Sequence, residues 1–264
     1  MKLPSPQSRF TGLVRAALLP VVAMISGIHG FADNDTFNAD ICDMRERIIA
    51  NPAVLSTSLA TMEERIGRVS DPKIKGSLLV YCAAGLSLTR VRAAEPDVIR
   101  LAREGMGYPL GIDDSVRALI LIGNGLEAVN AKFIPQDDAK RQEVAECYLK
   151  AARIVLDRVK ILKVDTSILH ESYTGDVEGY KMWEEERENI ELNNRLVDRG
   201  TEVRQRLLSL YSASPADQEK LRRVAESVLG DKDSVRRLLD EKDEHAANPL
   251  QASPPPSLSA GDFH

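Results

Sequence analysis

Apolar residues recur three and four positions apart along most of this chain, and no β-branched stretch alternates with a period of two. That spacing predicts helices and no sheet. A short helix over 40–50 and a longer one over 53–69 are separated by Asn51-Pro52. Ser70-Asp71-Pro72 then marks a helix start, because a capping side chain precedes a proline whose missing N–H costs nothing in the first turn. The helix that follows, KIKGSLLVYCAAGLSL, is apolar over most of its surface, which predicts an interior position. A short helix over 96–104 ends at GMGYPLG, where three glycines and a proline predict a tight turn. Asp113-Asp114 open SVRALILIGNGLEAV, again apolar nearly all round.

The remaining elements are more charged. Residues 136–163 read as a longer helix opened by Pro135, with Val144, Tyr148, Ala151, Val155, Val159 and Leu162 on one core stripe. Residues 179–212 read as the longest helix, with Trp183, Ile190 and Val197 seven apart. Its charges predict a solvated face with pairs such as Glu191–Arg195. Glu186, Asn193 and Gly200 fall at the d-like positions, so a single narrow seam fits better than a dimeric coiled coil. Ser214-Pro215 starts a further helix that Gly230 stops, and 233–245 gives a last, charged one.

The fold class is therefore all-α. Helix pairs form a short solenoid or irregular array over 33–163, a polar segment over 164–178 connects them to a C-terminal helical region over 179–245, and a Pro/Ser-rich tail follows over 246–264. The tail has too little apolar surface to order itself.

The N-terminus changes the picture from fold to compartment. Lys2, Arg9 and Arg15 precede any acid, Ala16 to Ile28 form a 13-residue apolar run, and Gly30 and Ala32 place small side chains before a cut ahead of Asp33. That is the pattern of a secretory signal over 1–32, and the run is too short for the ~20 residues of a spanning helix. A periplasmic or secreted location is expected, with no stable membrane insertion after cleavage. The mature chain would carry 32 basic and 40 acidic residues, a net charge of −8, which argues against nucleic acid as a partner. In an oxidising compartment Cys42, Cys82 and Cys147 leave one thiol over, and Cys42–Cys82 is the expected disulfide because neighbouring helices tend to be close in space. Three buried thiols packing as small hydrophobes is the alternative.

Two resemblances bear on function. DPKIKGSLLV at 71 and DDSVRALILI at 113 align without gaps at an offset of 42 residues. Together with Asp114-Ser115-Val116-Arg117, repeated as Asp233-Ser234-Val235-Arg236, this stretch of about 53–130 resembles HEAT and armadillo repeats. The resemblance implies a stacked helical scaffold with a binding surface and no chemistry of its own.

The second lies in the connecting segment, where Ile168 to Tyr173 (ILHESY) resembles the catalytic stretch of lytic transglycosylases. By that resemblance Glu171 would be the acid/base in cleavage of peptidoglycan, its proton affinity raised by burial. The family's following Gly-Leu-Met-Gln stretch is missing.

No Cys-x-x-Cys or His-x-x-x-His spacing suggests a metal, and nothing calls for a cofactor. The reading is an exported helical binding or scaffold module for a protein or cell-envelope component, with His170, Tyr173 and Trp183 as candidate binding residues. The alternatives are an enzyme using Glu171 and a structural oligomer formed through 179–212.

Overall fold

The computed structural model describes residues 34–159, 177–212 and 214–240. Among them are nine α-helices and no strand: α1 (Asn34–Ala50), α2 (Leu55–Gly67), α3 (Pro72–Ser87), α4 (Glu95–Gly105), α5 (Ile112–Asn130), α6 (Asp138–Arg158), α7 (Val177–Leu210), α8 (Pro215–Leu229) and α9 (Lys232–Leu239). The all-α expectation holds. Each helix from α2 to α7 lies against the one before it, and α1, α3, α5 and α7 also touch in succession, so alternate helices share a layer. On the other side α8 rests on α6, and α9 bridges α8 to α7. One continuous apolar core runs from Phe37 to Leu238, so the sequence segments on either side of 164–178 share it.

The two most apolar helices are the interior ones. Every residue from Gly76 to Leu86 of α3 is buried, as is every residue from Val116 to Gly123 of α5. Local signals explain where they begin. Asp71 accepts from the N–H groups of Lys73 (2.8 Å) and Ile74 (3.1 Å), filling the exposed start of α3. Its partner in the 42-residue alignment, Asp113, does something else. α5 starts earlier in that register, at Ile112, so Asp113 falls within its first turn and faces guanidinium groups instead of capping.

GMGYPLG is a turn with a packing reason behind its first glycine. A Cβ on Gly105 would lie 2.8 Å from Val80 Cγ2 and 3.0 Å from the Gly76 carbonyl, so α3 and α4 cross where neither helix has a side chain. Gly230 ends α8 in the left-handed region, at φ 81°, a conformation that costs other residues about 1 kcal/mol.

Three expectations need correction. α6 begins at Asp138 with Asp137 as its cap, because Pro135 sits in the preceding turn and its carbonyl is taken by Arg141 Nη2 (3.0 Å). The seam of α7 is not Trp183, Ile190 and Val197. Its buried face carries Leu196, Val203 and Leu207, with Tyr211 just beyond the helix. Gly200 lies on that face, where an added Cβ would come within 3.1 Å of Val155 on α6.

The third concerns the cysteines: Cys42, Cys82 and Cys147 are all free thiols, and the expected Cys42–Cys82 bridge is absent. Cys82 is fully buried, and Glu63, Asp97 and Arg100 of α2 and α4 are the charged groups that reach it. Burial pushes its thiol up to about 12. Thiolate is the reactive form, so iodoacetamide at pH 8 should leave Cys82 unmodified in the native protein and label it only in denaturant. Mass spectrometry after a timed pulse checks this. Equal labelling of Cys82 and half-buried Cys147 would contradict the placement.

Candidate functional site

The alternate helices α3, α5 and α7 diverge around a cleft of about 540 Å³, a volume in the range of small-ligand sites. The first turn of α4 closes one side. Ala84 of α3 and Leu88 just beyond its end, Val98 of α4, and Ile120, Leu121 and Ala128 of α5 give it largely apolar walls. Six charged side chains are set into them: Glu95, Arg117, Glu127, Arg199, Glu202 and Arg206.

Arg117 is the best anchored of these. It is 3 % exposed, donates to Asp113 Oδ2 at 3.2 Å, and lies 4.6 Å from the centre of the Tyr81 ring. Asp113 also draws in Arg195 (3.6 Å) and Arg199 (4.0 Å), so this one carboxylate ties the start of α5 to α7. Next to it Asp114 accepts from Ser77 Oγ at 2.6 Å. Burial raises the Asp114 carboxyl above its ordinary range, with Ser77 and Arg117 offsetting part of the effect. Burial likewise pushes the Tyr81 hydroxyl up to about 12, Arg117 opposing it. These groups form a fixed polar support behind the cleft wall.

On the other side Arg206 pairs with Glu127 at 3.8 Å, and Arg199 pairs with Glu202 at 3.5 Å. Glu127 is within 2.9 Å of the Tyr148 hydroxyl, which also donates to Asn124 Oδ1 at 2.7 Å. The Glu95 carboxylate has neither an ion pair nor a hydrogen bond among the described residues, and burial raises its proton affinity. The arrangement can hold a molecule or side chain that is apolar along its length and charged at its end. No convergent nucleophile and base accompany it among the described residues.

The residues singled out from the sequence lie elsewhere. Glu171, His170 and Tyr173 fall outside the described residues, as do the proposed signal and the tail. All four histidines of the chain do too. Trp183 is half-buried near the start of α7, its ring 5.8 Å from that of Tyr180 and under the Arg187 guanidinium at 5.2 Å. Among the described residues no group of three or more His, Cys, Asp or Glu could hold a metal ion, and no helix is long and apolar enough to cross a membrane.

Sequence reading reached one cleft residue, Arg117, through the Asp-Ser-Val-Arg motif. The second copy of that motif behaves differently: Val235 is buried, but Arg236 is exposed and pairs with its helical neighbour Asp233 at 3.5 Å. Asn124 carried a legible signal, an amide amid the apolar residues of α5. Glu95 carried none, since an acid in a first helical turn is ordinary.

Compared with protein-family models, curated proteins and solved structures, the chain matches none. Its class is therefore set by its own architecture, a layered all-α array with a charged-rimmed cleft.

Proposed function

We propose that this protein is an exported helical binding module whose working surface is the α3–α5–α7 cleft and whose partner is a protein or cell-envelope component. The observation that carries the reading is the cleft itself, of ligand size and apolar-walled, with Arg117 in its wall held by a buried network. Buried support of this kind fixes side chains in place before a partner arrives, which lowers the ordering cost of binding. The export half of the proposal rests on the basic start, apolar run and small residues of 1–32.

Each half has its own test. Intact mass of the protein from its native cells should correspond to a chain starting at Asp33; an uncleaved chain would remove the compartment. Ala128→Phe fills the cleft from a half-buried position in α5. It should cut partner retention at least ten-fold with the helical circular dichroism unchanged. Unaltered retention would move the working surface elsewhere.

A second reading, a structural oligomer through α7, is favoured by exposed Tyr180 and Met182 beside Trp183 at its start. A molar mass that rises with concentration, and stops rising on Met182→Lys, would support it.

A further inference from the structure

We propose that the cleft contains a subsite for an aliphatic cation at Glu95, filled by a lysine or arginine side chain of a partner protein. This rests on the reading of the cleft as the binding surface and names what it recognises.

The argument begins with the charges that are already satisfied. Arg117 has Asp113 at 3.2 Å, Arg199 has Glu202 at 3.5 Å, and Arg206 has Glu127 at 3.8 Å. Every guanidinium lining the cleft therefore already lies within 4 Å of a carboxylate. Of the three lining carboxylates, Glu95 has no ion pair or hydrogen bond among the described residues. A cation supplies what is missing there, and an anion does not.

Two further features favour the same ligand. The last turn of α3 lines the cleft through Ser87 and Leu88, and the C-terminal end of a helix carries partial negative charge. Half-buried Leu88 offers apolar surface to a methylene stem, the way long basic side chains bury their chains while keeping the head group charged. The start of α4 offsets part of the Glu95 charge. The other acid of that turn, Asp97, has the same advantage and still pairs with Arg100 at 3.1 Å, so a helix start does not by itself complete such a carboxylate. Burial makes Glu95 hold a proton more readily than a free glutamate, and a cation beside it relieves that penalty.

The test is a methyl NMR titration of the full mature chain with two probes of nearly equal shape. Nα-acetyl-lysine methylamide carries the ammonium, and Nα-acetyl-norleucine methylamide carries the stem alone. The lysine probe should shift the methyls of Leu88, Val98 and Ile120 with a dissociation constant of roughly 1 mM, as small ligands of this size allow. The norleucine probe should bind at least ten-fold more weakly.

Glu95→Gln, which keeps size and removes charge, should reduce the lysine probe to the norleucine level. Glu104→Gln, exposed on the same helix, should change nothing. Equal binding of both probes, unaffected by Glu95→Gln, would overturn the cationic subsite while leaving the cleft as a binding surface. Shifts from the lysine probe that fall outside the cleft would also overturn it, and loss of partner retention in Ala128→Phe would then decide the wider reading alone.

Discussion

Tyr148→Ala is expected to lower stability by about 4 kcal/mol, a large fraction of what holds an ordinary domain folded. The ring is fully buried on α6 and fills the space over Gly123 of α5, where an added Cβ would stand 2.6 Å from Cε1. Its hydroxyl, raised in proton affinity by burial and by Glu127, stays protonated and serves Asn124 and Glu127. Truncation would open a cavity and leave those two side chains without that donor.

The pairing of Tyr148 with Gly123 makes a sharper prediction. Gly123→Ala alone should cost about 1–3 kcal/mol by overpacking the ring. In the Tyr148→Ala background the same change should stabilise by about 1 kcal/mol, because alanine suits a helix better than glycine and the ring is gone. Urea denaturation of the four proteins measures the cycle. A Gly123→Ala effect of the same sign in both backgrounds would contradict the packing.

Asp217→Ala should cost about 3 kcal/mol. Arg141, on α6, is buried and donates to the Ile134 and Pro135 carbonyls and to Asp217 Oδ1 at 2.9 Å, while its guanidinium lies 5.4 Å from the Tyr211 ring. Asp217 is nearly as enclosed, and it also accepts from the hydroxyl of Ser214, the residue that caps α8. Removing it takes the nearest carboxylate from a buried charge, leaving only Asp138 at 3.8 Å, and loosens the cap at one stroke. Glu219 forms a 3.3 Å pair with Arg223, but in the open, where ion pairs contribute little. Glu219→Ala should leave the melting temperature unchanged within error. If both substitutions lower it equally, burial is not what makes Arg141–Asp217 matter.

Much of the fold was legible because it depends on signals that sit next to each other in the chain. Asp71-Pro72 and Ser214-Pro215 name helix starts through local hydrogen bonds, and the unbroken apolar surfaces of α3 and α5 leave them nowhere but the interior. The seam of α7 was not legible, because the large residues at 183, 190 and 197 dominate the seven-residue pattern. In the structure Gly200 lies on the contact face, where an added Cβ would press on Val155 of α6. The cleft was almost invisible for a different reason. Glu95, Arg117, Glu127 and Arg199 come from three helices, and each resembles any surface charge until the packing brings them together. Equivalent positions also diverged: Asp71 caps a helix, whereas Asp113 holds three arginines.

The central claim is that the α3–α5–α7 cleft is where this protein meets its partner. A photo-crosslinking amino acid placed in turn at Leu88, Ala128, Met106 and Met182, in the native cells, tests it most directly. Leu88 and Ala128 line the cleft, whereas Met106 and Met182 are exposed away from it. The account predicts a partner adduct of the same mass from Leu88 and Ala128 and none from the other two. Adducts from Met182 alone, at twice the mass of the chain, would replace the cleft with a self-association surface on α7.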